Sequence, residues 1–80
     1  MSRLELEGAL ARLRREKLEL AIRAKNHMRT IKEKLTFSDV HEATKLDVPG
    51  VVVAAHDLRD AWNRLMEIEG QIEAINRELV

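Results

Sequence analysis

Three histidines are the side chains of this sequence best suited to binding a metal ion. His27 and His56 fall on the two long helices predicted below, and His41 falls in the segment between them. His56 and Asp60 share one helix face, but no two histidines have the i, i+4 spacing of a helical metal site and no HExxH motif is present. Because a metal ion needs three or four converging ligands, the sequence predicts neither a metal nor another cofactor.

Residues for covalent catalysis are equally scarce. The chain has no cysteine, and both serines, Ser2 and Ser38, stand where a helix N-cap is expected. The three glycines are isolated, so no glycine-rich loop is available to hold a phosphate group. The arginines fall mostly outside the predicted helix–helix contact. We therefore expect a protein without catalytic activity.

Basic residues are concentrated in the first half of the chain. Residues 1–34 hold ten Lys and Arg against five Asp and Glu, whereas residues 51–80 hold three against six. Opposite charges favour packing of the two halves side by side, although an exposed ion pair contributes only about 0–1 kcal/mol. The alternative is RNA or DNA binding by an exposed basic strip, whose candidate residues are Arg12, Arg15, Lys25, Arg29 and Lys32. The zero formal net charge and the interleaved acidic residues argue against that alternative.

A strict 3,4 spacing of apolar residues dominates the second half of the chain. A repeat of 3.5 residues keeps one stripe of an α-helix against a partner along its whole length. The pattern predicts a coiled-coil-like helix over about residues 50–78. Its nine seam positions are Val51, Ala54, Leu58, Ala61, Leu65, Ile68, Ile72, Ile75 and Leu79.

The first half predicts a helix of similar length, over about residues 3–34. Ser2 is the expected N-cap, with Glu5 three residues later to complete a capping box. The best 3,4 seam of this helix is less regular than that of the second, because three of its nine positions are polar. The seam positions are Leu6, Leu10, Leu13, Lys17, Leu20, Ala24, His27, Ile31 and Lys34.

Lys17 and His27 interrupt the apolar positions of this seam, and Lys34 is its last position. We interpret Lys17 as a residue whose stem packs in the seam while its ammonium group reaches outward to Glu67 or Glu69. His27 is interpreted as a neutral side chain near the rim of the helix pair. An inward-facing catalytic or ligand-binding role is the alternative for both residues.

Residues 35–49 connect the two helices, and a structureless stretch of this length is unusual in a compact domain. A short helix over about residues 38–45 is expected within it. Asp47 is the expected N-cap of the following helix, and Pro49 is tolerated in a first helical turn. Two rods of equal length joined by a segment that reverses the chain predict an all-α antiparallel helical hairpin, forming a single domain over residues 1–80.

The two seams leave further apolar residues outside, and these predict an interaction surface. A second stripe flanks the seam of the first helix, and the second helix carries an off-seam tryptophan with valines and a methionine nearby. The predicted interface residues are Leu18, Met28, Leu35, Val52, Val53, Trp62 and Met66. The segment over residues 36–46 is expected to cover some of this surface through Phe37, Val40 and Leu46.

The function predicted from these features is a small protein–protein interaction or assembly module. The simplest partner is a second copy, which gives a homodimeric four-helix bundle; a monomeric three-helix bundle and a heterologous protein partner are the alternatives. The chain shows no secretory signal and no apolar run of the ~20 residues that a membrane-spanning helix needs. We therefore expect a cytoplasmic protein that does not enter a membrane.

Overall fold

The computed structural model describes residues 2–36 and 44–80, which form two long helices. Helix α1 spans Arg3–Thr36 and helix α2 spans Val48–Leu79. The helices pack against each other along their length and form a rod of 62 × 16 × 14 Å. The predicted all-α helical hairpin is confirmed. The dimeric bundle involves a second copy and stays a prediction.

Helix α1 begins as its sequence predicts and ends two residues later than predicted. The Ser2 hydroxyl accepts a hydrogen bond from the Glu5 backbone N–H at 3.2 Å, which satisfies one of the free N–H groups at the helix start. At the other end the Thr36 hydroxyl donates to the carbonyl oxygens of Lys32 and Glu33, at 2.8 and 3.0 Å. The hydroxyl therefore bonds to the backbone of the preceding turn of the same helix.

Helix α2 begins two residues earlier than predicted and is capped by Asp47. The Asp47 carboxylate accepts a hydrogen bond from the Gly50 N–H at 2.9 Å and forms an ion pair with the Lys34 ammonium group at 2.5 Å. Both contacts favour the charged form and lower the pKa of Asp47, the Lys34 hydrogen bond most strongly. Pro49 lies in the first turn, where its missing N–H costs nothing. The cap and the ion pair fix where the chain turns back.

The predicted connector helix falls largely outside the described residues. Within that prediction, residues 38–43 are outside the described part of the chain, and so are Phe37 and Val40 as candidate covers for the apolar surface. The described end of the connector, Thr44 and Lys45, has 3₁₀-helical geometry and leads through a bend into Asp47.

The core lies along the two predicted seams. Among residues 2–36 and 44–80, every buried residue is a seam position, and only Ile68 is fully buried, with 0% of its surface exposed. The helices run antiparallel, because the Lys34–Asp47 ion pair joins the end of α1 to the residue before α2, whereas Lys17–Glu69 joins the first half of α1 to the second half of α2. The buried residues are Leu6, Leu10, Leu20, Ala54, Ala61 and Ile68.

Candidate interaction surface

A second 3,4-spaced stripe runs along each helix beside the seam, and we call these positions the outer stripe. Helical geometry at 3.6 residues per turn points them away from the partner helix, along the normal to the plane of the hairpin. On α1 the outer stripe is Leu4, Glu7, Ala11, Arg14, Leu18, Ala21, Lys25, Met28, Lys32 and Leu35. On α2 it is Val48, Val52, Ala55, Arg59, Trp62, Met66, Glu69, Glu73, Asn76 and Val80.

The outer stripe holds most of the apolar surface that the hairpin leaves exposed. Of the eleven large hydrophobic residues exposed in the described chain, nine are outer-stripe positions. Trp62 is 56% exposed and Leu18 is 64% exposed. Only Ile22 and Val53 lie elsewhere. A concentration of exposed apolar side chains on one stripe is the mark of a contact surface, whereas scattered ones need no explanation.

The outer stripes of α1 and α2 lie on the same face of the hairpin. In an antiparallel helix pair, the same heptad positions beside the seam of each helix lie on the same face of the pair. A shallow groove on this face is lined by Met28, Ile31 and Leu35 of α1 and by Leu58 of α2. The two stripes therefore form one continuous face, which we call the outer face.

The opposite face of the hairpin is polar. Arg64 of α2 donates to both carboxylate oxygens of Glu16 on α1, at 2.8 and 2.9 Å, in a bidentate pair. Arg64 also donates to Glu67 at 3.1 Å. The hydrogen bond from Arg64 lowers the pKa of Glu16, and the carboxylate of Glu16 in turn raises the pKa of Arg64. This face is held by charged pairs, so the hairpin as a whole is amphipathic.

A small polar groove lies on the same face as the Glu16–Arg64 pair. It is lined by Arg23 and His27 of α1 and by Asp57 and Asp60 of α2. Half-buried His27 thus sits at the edge of the helix pair, as expected for a rim position. The described residues contain no group of three or more His, Asp or Glu side chains arranged to hold a metal ion.

Lys17 occupies the seam in the way the sequence indicates. Its ammonium nitrogen lies 3.3 Å from the Glu69 carboxylate, and its side chain is 44% exposed. The charge therefore reaches the surface while the stem packs between the helices. Of the two acceptors predicted for Lys17, Glu69 receives it, and Glu67 pairs with Arg64 instead.

Six of the seven predicted interface residues lie on the outer face, and Val53 does not. Val53 is nine residues from Trp62, and at about 100° per residue this separation is roughly half a turn of helix. Val53 therefore points to the opposite side of α2. Val53 was grouped with Val52 and Trp62 because the three are close in the sequence. The rotation of about 100° per residue around the helix axis separates Val53 from Trp62. That angle also identifies Val48, which the prediction omitted.

The basic residues proposed for nucleic acid do not form a continuous strip. Lys25 and Lys32 are outer-face residues that alternate with exposed apolar side chains. Arg29 donates a hydrogen bond to Asn26 at 3.2 Å on the outward side of α1. Arg12 and Arg15 lie nearer the start of α1, with Arg15 ten residues, or about 15 Å, before Lys25. All five are exposed, but they divide into two groups along α1.

No family model, curated protein or solved structure matches this chain. In the described residues, neither α1 nor α2 has a stretch long and apolar enough to span a lipid bilayer. The surface therefore has to be interpreted from its own geometry.

Proposed function

We propose that this protein is a self-associating helical hairpin, a protein–protein interaction and assembly module that joins copies of itself through the outer face. The observation that carries the proposal is that nine of the eleven large hydrophobic residues exposed in the described part of the chain lie on one face. A hairpin that acts alone has no need to keep a half-exposed Trp62 beside Met66 and Leu18.

The dimensions of the outer face suit a dimer. The outer stripe of α1 begins at Leu4 and ends at Leu35, 31 residues later and about 46 Å along the helix, and two adjacent helices are about 18 Å wide. Their product is about 800 Å² per copy, which is the usual area for a stable protein–protein contact. Burial of one half-exposed large apolar side chain contributes about 1 kcal/mol, so several such residues outweigh the flanking charges.

The limited core gives a second reason for association. Small domains without disulfides or metals are often stabilised by oligomerisation, and the hairpin seam encloses only one fully buried large side chain among the described residues, Ile68. A face-to-face pair of hairpins would convert the outer stripes into a second seam between the copies, giving a four-helix bundle.

Nucleic-acid binding by α1 is the competing proposal, and the geometry supports it less. The candidate residues are separated into two groups, and two of them, Lys25 and Lys32, are interleaved with Met28 and Leu35 on an apolar face. A phosphate-binding strip needs several adjacent cations and gains affinity as salt is lowered. The net charge of zero offers no long-range attraction for a polyanion.

Sedimentation equilibrium of the purified chain over a range of concentrations tests the proposal. We expect a reversible transition from the chain mass of 9.2 kDa to twice that mass. A chain that stays at 9.2 kDa up to millimolar concentration rules out self-association. A parallel titration with RNA and with duplex DNA at low salt addresses the competing proposal, for which we expect no binding.

A further inference from the structure

We propose that two copies pair face to face and antiparallel, with their connectors at opposite ends and the outer faces overlapping fully. The two-fold axis crosses α1 between Leu18 and Ala21 and crosses α2 between Trp62 and Met66. This inference rests on the proposed function and adds the orientation and register of the partner copy. Its basis is a symmetry in the order of residues along each outer stripe.

The outer stripe of α1 has the same order of apolar and charged positions in both directions from its middle. Read outward from the point between Leu18 and Ala21, it alternates apolar and charged residues on either side. One direction gives Leu18, Arg14, Ala11, Glu7 and Leu4, and the other gives Ala21, Lys25, Met28, Lys32 and Leu35. An isologous two-fold contact requires such self-complementarity, because each residue meets its counterpart from the other half of the same stripe.

The outer stripe of α2 has a related symmetry. Outward from the point between Trp62 and Met66, one direction gives Trp62, Arg59, Ala55, Val52 and Val48, and the other gives Met66, Glu69, Glu73, Asn76 and Val80. Trp62 then meets Met66 of the second copy, Arg59 meets its Glu69, and Val48 meets its Val80. The two remaining pairs join an aliphatic residue to a polar one.

The two midpoints lie at the same level of the hairpin, although each was found on its own helix. In an antiparallel helix pair, residues at one level have numbers that add to a constant. The interhelical ion pairs Glu16–Arg64, Lys34–Asp47 and Lys17–Glu69 give 80, 81 and 86 for this constant. The midpoints, 19.5 on α1 and 64 on α2, add to 83.5 and fall inside that range. One two-fold axis therefore serves both helices.

Charges on the outer face agree with this register. Lys32 meets Glu7 of the second copy, and Arg59 meets its Glu69, so the two-fold axis creates four ion pairs. Arg14 and Lys25 meet as like charges, and both are long enough to extend to the edge of the contact. Attraction between the copies therefore outweighs repulsion.

The opposite orientation, with both connectors at one end, fits the charges less well. In that arrangement α1 of one copy packs on α2 of the other at the same level, so the residue numbers of facing positions again add to about 83.5. Arg59 then lies opposite Lys25, which has the same charge, and Arg14 lies opposite Glu69. Each of these contacts occurs twice, so two ion pairs form against two repulsive contacts, whereas the proposed arrangement forms four ion pairs against two repulsive contacts.

Distances between two spin labels in the dimer test the orientation. Because the chain has no native cysteine, a single introduced cysteine is the one site that the label modifies. Glu5 and Glu33 are exposed residues outside both the seam and the outer stripe, near opposite ends of α1. They lie at nearly equal distances on either side of the proposed axis. The variants Glu5→Cys and Glu33→Cys are labelled separately, and the distance between copies is measured by pulsed electron paramagnetic resonance.

The proposed arrangement predicts similar long distances of about 45–50 Å for both labels, from the helical rise and the spacing of packed helices. Two short distances of about 25 Å indicate connectors at the same end and overturn the orientation while leaving self-association intact. One short and one much longer distance indicate a partial overlap and overturn the register. A monomeric labelled chain, with no distance between copies, overturns the proposed function as well.

A charge exchange gives an independent readout of the same contact. Arg59 and Glu69 are ten residues apart on one helix, about 15 Å, so they do not pair within a chain. We expect Arg59→Glu to weaken dimerisation about tenfold, since two symmetry-related pairs are lost. Adding Glu69→Arg restores most of that affinity even though the Lys17–Glu69 pair is lost. A double variant no tighter than Arg59→Glu contradicts the register.

Discussion

Trp62 and Val53 lie on opposite sides of α2 with nearly the same exposure. Trp62 is 56% exposed and Val53 is 60% exposed, and their separation of nine positions along the helix rotates the two side chains about half a turn apart. Trp62 belongs to the outer face with Leu18 and Met66, whereas Val53 stands apart from it. The two residues are almost equally exposed on the same helix, but only Trp62 lies on the outer face. Substitutions at the two positions can therefore be compared to test what the outer face contributes to association.

The cap of α2 makes Gly50 intolerant of a side chain. A Cβ added at Gly50 would collide with the Asp47 carboxylate that caps the helix, whereas a Cβ at Gly70 meets nothing within 4 Å. Replacement of a helical glycine by alanine normally stabilises by about 1 kcal/mol, and loss of an N-cap costs about 0.5–2 kcal/mol.

We therefore expect Gly70→Ala to raise the free energy of unfolding by about 1 kcal/mol and Gly50→Ala to give a less stable protein than Gly70→Ala, because the added Cβ displaces the capping carboxylate. Urea denaturation followed by circular dichroism measures both variants, at a protein concentration where the wild type has one oligomeric state. Equal stabilisation by the two substitutions would show that the Asp47 cap is not needed to start α2.

Lys17 is a polar residue in an apolar seam, and the expected effect of its replacement follows from two opposing terms. Lys17→Leu removes an exposed ion pair to Glu69 that is worth about 0–1 kcal/mol, and it buries a leucine worth about 1.5–3 kcal/mol. The apolar term is larger, so we expect a higher thermal midpoint. A polar seam residue also restricts oligomeric state, so the variant should show a broader mass distribution.

Lys17→Gln is the control for this prediction, because it removes the charge without adding apolar surface. Thermal melts and light scattering of both variants give stability and mass. A Lys17→Leu variant that melts below the wild type, with its mass unchanged, would show that Lys17 stabilises the hairpin instead of restricting its assembly.

The Glu16–Arg64 pair predicts a loss of stability in acid. The hydrogen bond from Arg64 lowers the pKa of Glu16 below its ordinary value of 4.5, so the unfolded chain binds more protons than the folded one below about that pH. The contribution of Glu16 is fully present above the unfolded pKa. It is lost as the pH falls through the lower pKa of the folded state.

Thermal melts between pH 6 and pH 2 test this pair. We expect the midpoint of Glu16→Gln to fall less on acidification than that of the wild type. Exposed Glu19 forms no ion pair in the described residues, so Glu19→Gln controls for the loss of one negative charge. A Glu16→Gln profile parallel to the wild-type profile would mean that the pair adds nothing to folding.

The seam and the helix ends were predictable because their signals are local. Apolar residues at 3,4 spacing identify a helix face without knowledge of the partner. The six residues that are buried in the described part of the chain all belong to the predicted seams. Ser2 and Asp47 act as caps within three residues of the groups that they bind. The helix ends extended one or two residues beyond prediction, where Thr36 and the first turn of α2 add hydrogen bonds.

Features that depend on both helices at once were harder to predict. Glu16 and Arg64 are separated by 48 residues, and their pairing follows only when the side of each helix and the register are known together. Val53 was placed with Trp62 because they are near in sequence and both exposed, although exposure does not specify direction. The symmetry of the outer stripes was present in the sequence, but it becomes meaningful only once both stripes lie on one face.

The most direct test of self-association through the outer face is the solution mass of Trp62→Glu compared with Val53→Glu. Sedimentation equilibrium is measured at matched concentrations, with circular dichroism to record helix content. We predict that the wild type and Val53→Glu form dimers of twice 9.2 kDa, whereas Trp62→Glu stays at 9.2 kDa. A Trp62→Glu variant that dimerises as tightly as Val53→Glu would contradict the account.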